Sequence, residues 1–361
     1  MSDLVRKHYQ CHPYPQYPLI ASVRRCDTYA LNLKALWIRF NSCLPPPDAH
    51  RVLVAGCGTF APYPFSVANP DAMITALDLS ERSLMRARLH CLLHGKRNVV
   101  YRCLDLLDIA STEDKFGLID AFGVLHHLTK PLQGLKKLES LLIPGGIIRI
   151  MVYSRYARRE EEAIRYALRL LGVREADRAR QLLRSARPGS RLAGYVAAAD
   201  EVNTLSGIAD ALLHPRVQTY KIGELLGMIR QTELEPLLFA HQGALEDSGE
   251  EVQRLQILER DRLSPGNFIL YLGKKVSHPA GDDAKRMIVL NPCLESAVSQ
   301  FTFGTMHVPS RFGNCNPSLD RLERRFLRQF INPVNCSELK PDVREAVDMY
   351  KRALFLLEYA T

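Results

Sequence analysis

Between Arg51 and Tyr153 short apolar runs alternate with segments whose apolar residues recur every three or four positions. Residues 52–55, 74–77, 99–101, 118–122 and 147–153 are compact apolar runs, the last launched from Pro144-Gly145-Gly146. Such runs read as strands covered on both faces. Ser80 can cap a helix whose Leu84, Ala87, Cys91 and Leu92 share a face, with Gly95 as its stop. Pro131 suits a first helical turn and precedes Leu132, Leu135, Leu138 and Leu142 at helical spacing. A helix over 220–231 and strands over 234–240 and 267–274 continue the pattern. Alternation of this kind predicts parallel strands joined by right-handed crossovers. The expected fold is α/β: a doubly wound, mostly parallel, seven-stranded Rossmann-like sheet.

Residues 155–215 interrupt the sheet pattern with helical composition, and 155–191 holds eleven Arg against five acidic residues. This reads as a cationic helical lid. Residues 278–283 read as a linker, and helices are expected over 318–330 and 341–359. The division is an N-terminal arm with helices (1–50), a sheet domain (51–275) and a small C-terminal domain (276–361). That C-terminal extension is either its own unit or the element through which a homodimer forms.

Composition narrows the picture. Apolar residues are 47% and charged residues 24% of the 361, an ordinary globular mix. No run of eighteen apolar residues exists, so no membrane partner is expected. The first eighteen residues lack an apolar signal core, and nine scattered cysteines form no CxxC pair. A cytoplasmic protein with free thiols and no metal site is the expectation. His8, Cys11 and His12 match no common metal spacing. A net charge of +9 permits an anionic partner without requiring one.

In an open parallel sheet the ligand sits beyond the carboxyl ends of the strands. The first strand ends in Gly56-Cys57-Gly58-Thr59, either a ligand-approaching turn or a plain strand-to-helix turn. Asp78 ends the second strand, where a carboxylate can accept both hydroxyls of a ribose or cap the following helix. Asp105 and Leu106 follow the third strand and suit an adenine, by hydrogen bond and by cover. The fourth runs into Gly123-Val124-Leu125-His126-His127-Leu128. A dinucleotide site fits less well, because Ala61 stands where its third glycine belongs.

Together, residues 52–59, 77–80, 123–128, 144–146, Tyr153-Ser154 and Ala157-Arg158 resemble the class I S-adenosylmethionine-dependent methyltransferases. Within them they are similar to a bacterial small-molecule-type branch, whose Tyr-Pro-rich arm matches Tyr14-Pro15-Gln16-Tyr17-Pro18. The resemblance implies S-adenosyl-L-methionine as cofactor, with Gly56, Cys57 and Gly58 at its methionine end. Asp78 and Leu79 then meet the ribose, Asp105 and Leu106 the adenine, and Gly123 and Val124 flank the sulfonium. Two departures stand out: Val54 replaces an acid common in relatives, and Phe60 replaces a glycine, with Pro62 and Pro64 following.

The implied activity is methyl transfer to oxygen, nitrogen or carbon of a small-molecule acceptor. His126 or His127 can serve as base or orient the acceptor, and Tyr153 can line the same pocket; packing roles are the bland reading of all three. Tyr9, Tyr14 and Tyr17 form either an arm over the cofactor or a surface strand. Arg165, Arg169 and Arg180 either meet an anionic substrate or form a solvated helix face. The alternatives are an RNA or protein methyltransferase docking through lid and tail, or a catalytically silent cofactor-binding regulator.

Overall fold

A computed structural model of the chain describes residues 2–109, 115–276, 286–300 and 304–360. The arm begins with α1 (Ser2–Cys11) and leads through a 3₁₀ segment (Arg25–Leu31) into α2 (Leu33–Asn41). There follow β1 (Arg51–Ala55), α3 (Pro62–Ala68), β2 (Met73–Asp78), α4 (Glu81–Leu93) and β3 (Val99–Cys103). Next come β4 (Phe116–Phe122), α5 (Pro131–Leu141) and β5 (Leu142–Tyr153). The lid comprises α6 (Arg159–Leu170), α7 (Ala176–Arg184), α8 (Arg191–Ala198) and α9 (Leu205–Leu213). The sheet resumes with α10 (Ile222–Ile229), β6 (Leu234–Phe239), α11 (Ser248–Arg260) and β7 (Asn267–Lys274). The tail holds β8 (Arg286–Leu290), α12 (Glu295–Ser299), α13 (Arg321–Arg328), β9 (Val334–Asn335), α14 (Pro341–Arg352) and β10 (Leu356–Ala360).

The seven strands of the main sheet lie in the order β3-β2-β1-β4-β5-β7-β6. All pairs are parallel except those of β7, which runs antiparallel to β5 and β6. The expected sheet is thus present. Its order reverses between β1 and β4, and the crevice beyond their carboxyl ends is the topological switch point.

Strand alternation sends Leu53, Ile119 and Ile148 to one face, packed on Leu135 and Leu138 of α5 and Leu225 and Ile229 of α10. Val54, Leu118, Ile147 and Tyr271 face the other way. There they share one core with Leu36 of α2, Phe65 of α3, and Ile288, Leu290, Phe355 and Leu357 of the tail. The lid has its own apolar cluster, including Leu168, Leu183, Ile208 and Leu212.

Several elements differ from expectation. Leu142 opens β5 instead of closing the preceding helix. Pro144-Gly145-Gly146 lies within the β5 span, where pairing shifts register between Phe116 and Leu118, because Gly145 takes a φ of +78° against the Trp37 ring. The helix expected over 318–330 is shorter, and the one over 341–359 stops at Arg352. There Leu354 turns the backbone left-handed (φ +60°) and releases β10 to pair antiparallel with β8. The linker expected over 278–283 lies outside the described residues.

Candidate functional site

The turn after β1 is built by Gly56 and Gly58, at φ +59° and +56°, a left-handed region that favours glycine. Its Cys57 amide donates to the Leu77 carbonyl at 2.9 Å. The Asp78 carboxylate closes the turn: Oδ2 accepts from the Gly58 amide and Oδ1 from the Ser80 amide, each at 2.8 Å. Burial raises its pKa, and the backbone donors partly offset that rise. Cys57 is buried and its thiol is pushed far up by burial, so it is a protonated packing group.

The arm lies directly across this turn. Thr59 donates its amide to the Tyr14 carbonyl at 3.2 Å, and its hydroxyl bonds the Pro15 carbonyl. Phe60 packs its ring at a tilt against Tyr17 of the arm, with centroids 4.4 Å apart, and edge-on against His90, 5.0 Å away. Phe60 therefore docks the arm. Tyr9 of α1 ties together both sides of the crevice. Its carbonyl accepts from Ser80 Oγ at 3.1 Å, and its hydroxyl donates to Asp210 Oδ1 of α9 at 2.8 Å.

Beyond β4, His126 and His127 are both buried. The His126 ring stacks on Tyr153 at 4.0 Å, and among the described residues neither of its nitrogens has a hydrogen-bond partner. Its pKa is held far down, first by burial and then by the neighbouring imidazoles. His127 Nδ1 donates to the Arg216 carbonyl at 2.8 Å, leaving Nε2 as the acceptor. Burial lowers its pKa to about 4 despite that bond. The His214 ring lies 3.9 Å from His127 and 4.9 Å from His8, so lid, arm and sheet meet through neutral imidazoles. Arg158 stands over the Tyr153 ring at 4.0 Å while donating to Glu161, Glu201 and Asn267.

One cavity of about 750 Å³ brings the glycine turn, the arm and the residues after β4 together. It is lined by Gly56, Cys57, Gly58, Asp78, Leu79, Asp105, Leu106, Gly123 and Val124 on one side, and by His126, His127 and Tyr153 beside them. Tyr9, Tyr14 and Tyr17 line it as well, whereas Arg165, Arg169 and Arg180 do not. Arg165 bonds the Ala211 carbonyl, and Arg180 pairs with Asp177 in the lid.

Sequence reasoning missed four lining residues that carry charge, Asp210, Asp120, Arg149 and Arg311. Asp210 is a lone acid in the apolar run of α9, and its burial raises its pKa to about 6. Asp120 and Arg149 interrupt the apolar patterns of β4 and β5, a signal the sequence does carry. The tail supplies Arg311, whose place could not be read from spacing.

A nucleoside cofactor fits the first group of residues. Each Asp78 oxygen holds one amide hydrogen and keeps a lone pair for a ribose hydroxyl. No ion pair competes for that carboxylate among the described residues, and only 9% of the residue is exposed, where it lines the cavity. Asp105 takes the Leu107 amide on Oδ1 at 3.1 Å and lines the cavity next to Leu106. Among the described residues there is no group of three side chains fit to hold a metal ion. No helix among them is long and apolar enough to cross a membrane.

Residues 53–148 match a family model described as a methyltransferase domain. An uncharacterised protein of Synechococcus sp. is 33% identical over 180 residues, 49% of this chain and 43% of that protein. A ubiquinone biosynthesis O-methyltransferase of Neisseria meningitidis serogroup C is 27% identical over 99 residues, 27% of this chain and 42% of that enzyme. The chain thus spans less than half the length of these curated relatives. PKMT2 from Rickettsia typhi, solved in complex with AdoHcy, shares the fold at a TM-score of 0.56 and 15% identity, over 97% of this chain and 78% of that one. The residues that match the methyltransferase domain, 53–148, are those that build the switch point of the sheet, so the part of the chain similar to known methyltransferases is the part that forms the glycine turn and carries Asp78.

Proposed function

We propose that the chain transfers a methyl group to an oxygen or nitrogen of a small-molecule acceptor bound between the sheet, the arm and the lid. The observation that carries this reading is the single cavity that gathers the glycine turn, Asp78, Asp105 and the segment from Gly123 to His127 under the arm. Bound S-adenosylmethionine supplies a methyl carbon activated by a positively charged sulfur. In this reading Gly56 and Gly58 admit its methionine end, Asp78 with Leu79 orients the ribose, and Asp105 with Leu106 receives the adenine. Gly123 and Val124 flank the reacting centre.

The arm and lid exclude water and hold the acceptor in line, which supplies much of the rate in a displacement of this kind. Tyr153 and His127 orient the acceptor. The lowered basicity of both imidazoles argues for orientation and packing over proton removal. Polymer docking finds less support, since several lid cations are already paired: Arg155 with Glu224, Arg158 with Glu161 and Glu201, Arg191 with Glu160. Exposed free thiols at Cys11, Cys103 and Cys315 suit the reducing cytoplasm.

The test incubates purified protein and methyl-labelled cofactor with cell extract that is untreated, nuclease-treated or protease-treated. Incorporation surviving both treatments supports the proposal, and its loss on either one redirects it to a polymer. Calorimetry against S-adenosylhomocysteine should detect binding that Asp78→Ala abolishes.

A further inference from the structure

We propose that Asp210 of the lid accepts the proton of a hydroxyl acceptor during methyl transfer, with Tyr9 of the arm positioning it; this rests on the methyl-transfer reading above. Asp210 lies on α9, opposite the strand ends, and lines the cavity together with Tyr153, His126 and His127. It is almost wholly buried, and its one hydrogen bond among the described residues is from the Tyr9 hydroxyl to Oδ1. Among the described residues Oδ2 has no hydrogen-bond partner. Arg165, whose charge acts on Asp210, spends its Nε on the Ala211 carbonyl and forms no ion pair with Asp210.

The groups facing Asp210 are Tyr9 and Tyr14 of the arm, Tyr153 of β5, Glu161 and Arg165 of α6, and Glu201 of the turn before α9. Burial, then the acids Glu201 and Glu161, favour the protonated form, while Tyr9 and Arg165 favour the carboxylate. The balance sets the carboxyl at about 6, close to the operating range a general base needs. His127, at about 4, is a weaker base in the same cavity.

The step balances. The acceptor oxygen forms its bond to the methyl carbon as the carbon–sulfur bond breaks, and that pair leaves on sulfur, which becomes a neutral thioether. The hydroxyl proton passes to Asp210, which becomes neutral and is later deprotonated by water. Tyr9 has a second task. Because its carbonyl holds Ser80 at the cofactor side while its hydroxyl holds Asp210, the base is in place only when the arm is seated.

The experiment uses the full chain as parent, Asp210→Asn and Tyr9→Phe, each assayed for affinity to S-adenosylhomocysteine by calorimetry. Carbon-13 NMR of the carboxyl groups in the cofactor-free protein should show a group titrating near pH 6 that Asp210→Asn removes. Tyr9→Phe should move that titration upward by about one pH unit, because a donor to the carboxylate is gone. Incorporation of labelled methyl from the small-molecule fraction of the extract should rise with pH along the same curve. Asp210→Asn should bind S-adenosylhomocysteine like the parent and lose incorporation by about 100-fold or more. Undiminished incorporation in Asp210→Asn, or an unmoved titration in Tyr9→Phe, overturns the assignment. A parent without affinity for S-adenosylhomocysteine overturns the methyl-transfer reading together with it.

Discussion

Arg149 donates its Nε to Asp120 Oδ1 at 2.5 Å, and the two residues are register partners on β5 and β4. The pair stands in the sheet face that floors the cavity, where the Arg149 guanidinium also lies 4.8 Å from the Phe122 ring centre. Desolvating two charges is expensive, so an apolar pair of similar volume would serve stability as well. Removing one partner should therefore be worse than removing both. Arg149→Met should destabilise the fold by about 3–5 kcal/mol, leaving a buried carboxylate alone, and Asp120→Leu with Arg149→Met should recover most of that. Denaturant melts of the parent, single and double variants read this directly. A double variant as weak as the single would show that the charges do not compensate each other.

Gly58 and Gly56 occupy similar left-handed backbone, yet replacing them should have unequal effects. A Cβ at Gly58 would meet the Tyr14 carbonyl oxygen at 2.5 Å, a backbone atom of the arm, while at Gly56 it would meet Val124 Cγ2 at 2.5 Å, the end of a side chain. The valine can turn; the arm must lift. Both alanine variants carry the strain of positive φ, of about 1–2 kcal/mol. Gly58→Ala alone should also expose residues 2–20 to limited proteolysis. Equal protease resistance in the two variants would separate the arm from the turn.

Much of the sheet was legible because a strand buried on both faces leaves a continuous apolar run, and Asp78 was legible because it ends one. Phe60 could be seen as a departure from the resembling family but not explained, since its partner Tyr17 is 43 residues earlier in the chain and finds it only after folding. The end of α14 was illegible for a different reason: Leu354 takes the left-handed conformation that a glycine usually signals. Asp210 hid in a run whose apolar neighbours already accounted for a packed helix. Its significance depends on Tyr9, 201 residues away, and no local pattern encodes that pairing.

Glu251, near the start of α11, is fully buried and accepts from His241 Nε2 at 2.7 Å, from both Nε and Nη2 of Arg254 at 2.7 Å, and from the Leu245 amide at 3.0 Å. Burial alone would raise its pKa, but these donors overcome it and hold the carboxyl at about 2, below its ordinary 4.5. The unfolded chain then binds the proton first as pH falls. Stability from this group is complete above pH 4.5 and drains away between 4.5 and 2, by about 3 kcal/mol in total. Glu251→Gln should be less stable at neutral pH and flatter across that window. Parallel parent and variant curves of stability against pH would remove Glu251 as the cause.

His127 has the opposite chemistry but the same sign. Its imidazole is held neutral, with a folded pKa of about 4 against 6.5 when unfolded, because burial disfavours the cation and the nearby Arg165 and His8 oppose it further. Between those values the unfolded state binds more protons than the folded one, so stability falls as pH drops from 6.5 to 4. The full shift corresponds to about 3 kcal/mol. His127→Asn keeps a donor for the Arg216 carbonyl without the titrating ring, and it should lose less stability over that interval. Subtracting the variant's pH curve from the parent's isolates this residue from Asp210, whose raised pKa works in the opposite direction near pH 6. A difference curve that stays level from pH 6.5 to 4 would mean that His127 already titrates normally in the fold, and that the junction of arm, lid and sheet admits a charged imidazole.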